Sequence, residues 1–268
     1  MIGVFDSGFG GLAILKEVRK KLPQYDYLYV GDSARAPYGP RPREEVYTYT
    51  LEAVKYLMDR GCELVLIACN TASAEALRRI QQEYLPEHYP DRRVLGVIVP
   101  AAEAAIEATK NKRVGVLATV GTVTSGTVAN EVRKLDSSVE LFQESAPLLV
   151  PLIEAGTHES EETKQALQSY LAPLLAEHID TLILACTHYE HLIDDVRELV
   201  GPEIAVIAEG GIVADKLEGY LVRHPDLAAT LSRGSAAVYL TTGDAEQFNV
   251  LGSRFMGESV SAENVTLT

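Results

Sequence analysis

The sequence predicts an α/β fold made of two similar, doubly wound domains with mostly parallel sheets. Three observations carry that prediction. Short β-branched or apolar runs alternate with longer amphipathic stretches along the chain, the pattern of strands joined by crossover helices. Two of the runs end alike, "ELVLIACNTAS" (63–73) and "TLILACTHYEH" (181–191), which points to a βα layer repeated within the chain. With 268 residues and 47% hydrophobic content, the chain can bury one large core or two smaller ones.

Taken in order, "IGVF" (2–5), "YLYV" (27–30), "ELVLIA" (63–68), "RVLGVI" (93–98), "RVGVLA" (113–118), "VELF" (139–142), "TLILA" (181–185), "AVIA" (205–208) and "AVYL" (237–240) read as strands. Most segments between them read as helices. In 43–60, Val46, Thr50, Ala53, Val54, Leu57 and Met58 keep helical spacing, and Gly61 stands where a C-terminal cap belongs. The stretch 160–178 opens with Ser160, acids and Thr163, as a capped helix does, and Pro173 is expected to kink it. The chain is expected to change domain near "GVIVP" (96–100), where Pro100 interrupts a strand exit, and to return near "AEGG" (208–211). That gives 1–98 with 210–268 as the first domain and 99–209 as the second.

A formal charge of −14 argues against nucleic acid or an anionic membrane surface as a main partner, since neither is drawn to an acidic field. No apolar run reaches the roughly 18 residues of a membrane helix, and "MIGVFDSG" shows no basic leader. A cytoplasmic protein is expected. Three cysteines, an odd number in a long chain, read as free thiols rather than a disulfide framework.

In open α/β sheets ligands bind beyond the carboxyl ends of strands, and Cys69, Cys186 and the loop after the first strand all fall there. A cysteine between a strand end and a helix start lies near the positive end of the helix dipole, which favours thiolate. Core packing gives no reason to place a thiol twice at one topological point, so the two read as a functional pair. Cys62 precedes its strand and carries no such reading.

The loop "FDSGFGG" (5–11) allows close approach at Gly8, Gly10 and Gly11, yet its spacing does not reproduce a dinucleotide fingerprint. Asp6 reads either as a turn cap or as a group that holds an ammonium or orients a thiol. The loop "GDSARAPYGPRP" (31–42) puts Tyr38 and Gly39 at its centre. There a hydroxyl and a backbone N–H can meet a carboxylate; the alternative is a rigid turn with an exposed tyrosine. His188 reads as a helix cap, a metal ligand or the partner of a poised thiol. Metal-ligand spacing is missing, and residues i and i+2 of a regular helix do not face each other.

The stretches "GVFDSGFGGL" (3–12), "YVGDSARAPYG" (29–39), "ACNTASA" (68–74), "GVIVPA" (96–101), "LATVGTVTSG" (117–126), "VPLIEAG" (150–156), "CTHY" (186–189) and "YLTTGDAEQF" (239–248) occur in an order that resembles the glutamate racemases. These belong to the cofactor-independent aspartate/glutamate racemase superfamily. The resemblance implies two α/β domains facing a shared cleft, with Cys69 and Cys186 as catalytic cysteines on opposite sides of the substrate α-carbon. Asp6, Ser7, Tyr38, Gly39, Asn70, Thr71, Thr187 and His188 match substrate-contacting positions. Asp6, His188 and Glu154 match groups that assist proton transfer. Glutamate is the implied substrate, D-glutamate for peptidoglycan the implied product, no cofactor or metal is implied, and a homodimer is the implied assembly. Related alternatives are racemisation of aspartate, a thiol hydrolase using Cys186 and His188, and a non-catalytic amino-acid-binding protein. The chain departs from the pattern at Glu190 and His191, where proline and an aliphatic residue are common, and at Val128, where a tyrosine is usual. It also lacks an aspartate in "AEGGIVA" (208–214).

Overall fold

A computed structural model describes residues 1–268. Its ten strands are β1 (Ile2–Asp6), β2 (Tyr27–Gly31), β3 (Leu64–Ile67), β4 (Arg93–Gly96), β5 (Arg113–Ala118), β6 (Glu140–Ser145), β7 (Thr181–Ala185), β8 (Ala205–Ile207), β9 (Ala237–Thr241) and β10 (Ala262–Asn264). They form two sheets, β10-β9-β2-β1-β3-β4 and β6-β5-β7-β8, in which every pairing is parallel. The expected α/β class with two parallel sheets is therefore present. Parallel neighbours require long crossovers, which the intervening helices supply.

The order β2-β1-β3-β4 repeats as β6-β5-β7-β8. In each unit the first strand lies between the second and third, so the crossovers reverse direction at the β1/β3 and β5/β7 gaps. Those are the switch points at which doubly wound sheets open a crevice. Every residue of β1, β2, β3 and β7 is buried, which explains why these strands read as continuous apolar runs rather than alternating ones.

The helix Arg43–Asp59 buries the six positions named from its spacing, and Gly61 has φ +83° just beyond it, a conformation that glycine adopts without penalty. Ser160 accepts a hydrogen bond from the Thr163 N–H and caps the helix Glu161–Ala176, which continues unbroken through Pro173.

One local expectation needs correction, and one strand went unread in the sequence. Pro100 does not interrupt a strand: β4 ends at Gly96, and Pro100 lies in the first turn of the helix Ile98–Ala108, where a missing N–H costs no intrahelical bond. The strand β10 had no apolar run to announce it; its three residues pair along the open edge of β9. The helix Gly11–Lys21 packs against the helix Glu209–Arg223, and one apolar core runs from Val4 and Leu12 to Leu117 and Leu184, joining the two sheets. No helix is long and apolar enough to cross a membrane.

Candidate active site

Cys69 follows β3 after Ala68 and forms the N-cap of the helix Asn70–Glu75, while Cys186 directly follows β7 and forms the N-cap of the 3-10 helix Thr187–Leu192. Since β3 and β7 are the third strands of the two repeated units, the cysteines occupy equivalent topological positions. Both border one cavity of about 180 Å³. Loops of the six-stranded sheet contribute Ser7, Tyr38, Gly39, Cys69, Asn70 and Thr71 to its wall, and loops of the four-stranded sheet contribute Glu154, Cys186, Thr187 and His188. Of the catalytic, proton-transfer and substrate-contacting residues expected from sequence, Asp6 alone lies behind the wall, fully buried.

The two sulfurs stand in different surroundings. Cys69 Sγ lies 3.4 Å from Ser7 Oγ and accepts from the Ala72 N–H at 3.4 Å. Burial, reinforced by the nearby Asp6, nevertheless pushes the Cys69 thiol up to about 12. Desolvation here outweighs the two hydrogen bonds, contrary to the expectation that the helix start would favour thiolate. Cys186 Sγ lies 3.9 Å from His188 Nδ1. An i, i+2 pair meets there because Cys186 is extended and the backbone beyond it is a 3-10 turn rather than an α-helix.

Burial disfavours a charged His188, but Cys186 and Glu154 oppose it and raise the imidazole to about 10. Its Nε2 stands 3.0 Å from Glu154 Oε1. Asp6 accepts from the Gly8 N–H through Oδ2 at 2.9 Å, the turn-capping role read from the sequence. Its other oxygen has no hydrogen-bond partner, and burial raises its pKa although His188 and the Gly8 and Gly11 N–H groups pull it down.

Tyr38 is buried rather than exposed. Its hydroxyl donates to Asp32 Oδ2 at 2.5 Å, and Asp32 also accepts from Arg35 and Thr242. The tyrosine hydroxyl is thus bonded to a carboxylate of the chain itself, that of Asp32. The Gly39 carbonyl accepts from the Gly121 N–H at 2.8 Å, and the Thr71 and Thr119 hydroxyls lie 2.9 Å apart. These two contacts tie loops of one sheet to loops of the other beside the cavity.

Sequence reasoning assigned no role to Thr119, Asp32 or Glu209. Thr119 had a signal: it follows the β5 run "RVGVLA" (113–118) and caps the helix Val120–Ser125, one more residue at a strand end. Asp32 similarly follows β2. Glu209 had no local signal, because its partner is Asn70, with 2.7 Å between Asn70 Nδ2 and Glu209 Oε2. No group of three or more His, Cys, Asp or Glu side chains is arranged to hold a metal ion.

Residues 12–215 match the Asp/Glu/hydantoin racemase family. The chain belongs to that family. It is 36% identical over 267 residues to a glutamate racemase of Exiguobacterium sibiricum, covering 99% of this chain and 96% of the relative. The crystal structure of glutamate racemase isoform RacE1 from Bacillus anthracis superposes with a TM-score of 0.91 at 33% identity, covering 100% of this chain and 97% of that one. The Francisella tularensis glutamate racemase, solved in complex with D-glutamate, superposes with a TM-score of 0.88 at 28% identity, covering 99% and 97%.

The departures from the racemase pattern have structural counterparts. Ala208, the N-cap of the helix Glu209–Arg223, offers no capping side chain. Glu190 does so instead: its Oε1 accepts from the Gly210 N–H at 2.9 Å. Glu190 thus does for this helix start what a capping side chain at 208 would do. His191 packs edge-on against Phe255, with 4.0 Å between ring centroids. Val128 is buried among Ile98, Ala102 and Val132, away from the cavity wall.

Proposed function

We propose that the chain interconverts L- and D-glutamate by proton transfer between two thiols, supplying D-glutamate for peptidoglycan. One observation carries the reading: Cys69 and Cys186 end equivalent strands of two like-ordered sheets and border the same cavity. Inverting a stereocentre through a planar carbanion needs a base on one face and an acid on the other. Two groups at corresponding positions of facing units provide that arrangement without the substrate turning over.

The unequal surroundings support a division of labour. Cys69, its thiol held up to about 12 by burial and Asp6, retains its proton and is the donor in the resting enzyme. His188, held protonated 3.9 Å from the Cys186 sulfur, places a positive charge beside the sulfur that takes the proton. In this resting form Cys186 removes the α-proton and Cys69 delivers its own to the opposite face. The reverse reaction exchanges these roles, with Asp6 assisting on the Cys69 side and His188 with Glu154 on the other.

No Lys or Arg lines the cavity. The substrate carboxylates are met by N–H groups and hydroxyls of Ser7, Asn70, Thr71 and Thr187, with the backbone at Tyr38 and Gly39. Fixed dipoles in a water-poor site stabilise the charge that accumulates on the α-carboxylate as the carbanion forms. For the lobes that close on the substrate we assign 1–98 with 210–268 and 99–209, in agreement with the strand membership of the two sheets.

The test is incubation with L-glutamate in deuterium oxide. D-glutamate should appear carrying α-deuterium, as followed by proton NMR and chiral chromatography, and aspartate under the same conditions should react far more slowly. A folded protein that exchanges no α-proton of glutamate would remove this reading.

A further inference from the structure

Glu209 opens a helix, where an acid ordinarily faces water, but it is only 1% exposed. One of its carboxyl oxygens accepts from Asn70 Nδ2 at 2.7 Å. The other, Oε1, has no hydrogen-bond partner, and neither does Asn70 Oδ1 in the same pair. With an ionised Glu209 both orphans are acceptors, which is costly in a buried place. A single proton pairs both: a carboxylic acid donates through one oxygen to the amide carbonyl while its other oxygen accepts from the amide N–H.

We propose that Glu209 is a neutral carboxylic acid that clamps the Asn70 side-chain amide through two hydrogen bonds, making it a positioning residue for the substrate contact made by Asn70. The proposal rests on the reading of Asn70 as a substrate contact. Burial, with Glu190 adding to it, raises the Glu209 pKa well above the carboxylate range although the Asn70 hydrogen bond opposes this.

Two consequences follow for the site. An amide nitrogen carries two hydrogens, and the clamp uses the one on the same side as Oδ1. The second hydrogen remains as the donor that Asn70, which lines the cavity, offers to a carboxylate, with the amide plane already fixed before the ligand arrives. Neutrality matters as well: an ionised Glu209 would set a buried negative charge directly behind the group that receives an anionic substrate.

The experiment combines isotope-edited infrared spectroscopy with kinetics on the full chain. Protein labelled with ¹³C at glutamate carboxyls should show, near neutral pH, a protonated-carboxyl band that Glu209→Gln removes. Glutamine can make both bonds to the amide, so Glu209→Gln should keep KM for glutamate within about twofold. Glu209→Leu makes neither bond and should raise KM about tenfold or more, with a smaller change in kcat. A parent spectrum without the band, a Gln variant that loses affinity as the Leu variant does, or a Leu variant with the parent KM would each overturn the proposal. Should Glu209→Leu not fold, the band and the Gln variant decide. A parent protein inactive toward glutamate would count against the proposed reaction, and the infrared band would still decide whether Glu209 is protonated.

Discussion

Gly10 lies against Thr187 so closely that a Cβ built on it would overlap the Thr187 hydroxyl and stand 2.7 Å from His188 Nδ1. Its backbone angles, φ −59° and ψ −36°, suit any residue, so space rather than conformation demands glycine here. The glycine-rich loop thus serves close approach between the segment after β1 and the segment after Cys186. Gly10→Ala should lower kcat/KM for racemisation about a hundredfold by displacing Thr187 and His188, with the fold retained by circular dichroism. Activity near the parent value would show that the contact has no part in catalysis.

Cys69→Ala and Cys186→Ala should each abolish racemisation, whereas Cys62→Ala should keep most of it, since Cys62 packs against Gly3 and away from the cavity. An analogue with a leaving group on its β-carbon needs only proton abstraction before elimination. Each active-site variant should therefore eliminate from one enantiomer alone, the one whose α-proton faces the remaining thiol. Elimination from both enantiomers by either variant, or racemisation near the parent rate, would contradict the two-thiol scheme.

The pairing of His188 with Glu154 has a readout that does not depend on turnover. Glu154→Gln removes a group that raises the imidazole, so the His188 titration, followed by NMR of labelled histidine, should move down from about 10. The sign for stability follows from the raised value. Compared with an unfolded histidine near 6.5, His188 contributes stability that is fully present below pH 6.5 and is lost as pH rises through about 10. Denaturation midpoints across that window should decline less in Glu154→Gln than in the parent.

His191 should act in the opposite sense. Burial, with His158, His188 and Lys16 adding to it, lowers its pKa to about 4. Between pH 6.5 and about 4 the unfolded chain binds a proton there that the folded chain does not, so this residue makes stability fall with acidification. His191→Asn should lose part of that acid dependence in urea titrations compared at pH 7 and pH 5. An unchanged slope would assign the acid sensitivity to other groups.

Glu190→Ala should cost about 1 kcal/mol, the usual value of a helix N-cap, because the helix Glu209–Arg223 has no cap of its own at Ala208. Adding Ala208→Asp should restore much of the loss, since Ala208 already has the extended backbone of a capping residue. Chemical denaturation of the single and double variants checks this. A double variant as unstable as Glu190→Ala alone would show that Glu190 does not act as the cap of this helix.

The alternation of apolar runs and amphipathic stretches, the caps at Gly61 and Ser160, and the recurrence of a thiol at two strand ends were legible in the sequence. They depend on neighbours within a few residues, and the rule that parallel sheets present ligands at carboxyl ends turned "ACN" and "ACT" into one candidate site. Other features became visible only once the chain had folded. The edge strand β10 exists because β9 offers an unpaired edge, and the helix that begins at Ile98 overrides the apolar, β-branched character of its first residues. The occupied hydroxyl of Tyr38, the capping of Ala208's helix by Glu190 and the pairing of Asn70 with Glu209, 139 positions apart, join residues that no local pattern connects. The ionisation of Cys69 belongs to the same class: helix position is written along the chain, but desolvation depends on everything packed around the sulfur, and here burial outweighs the helix start.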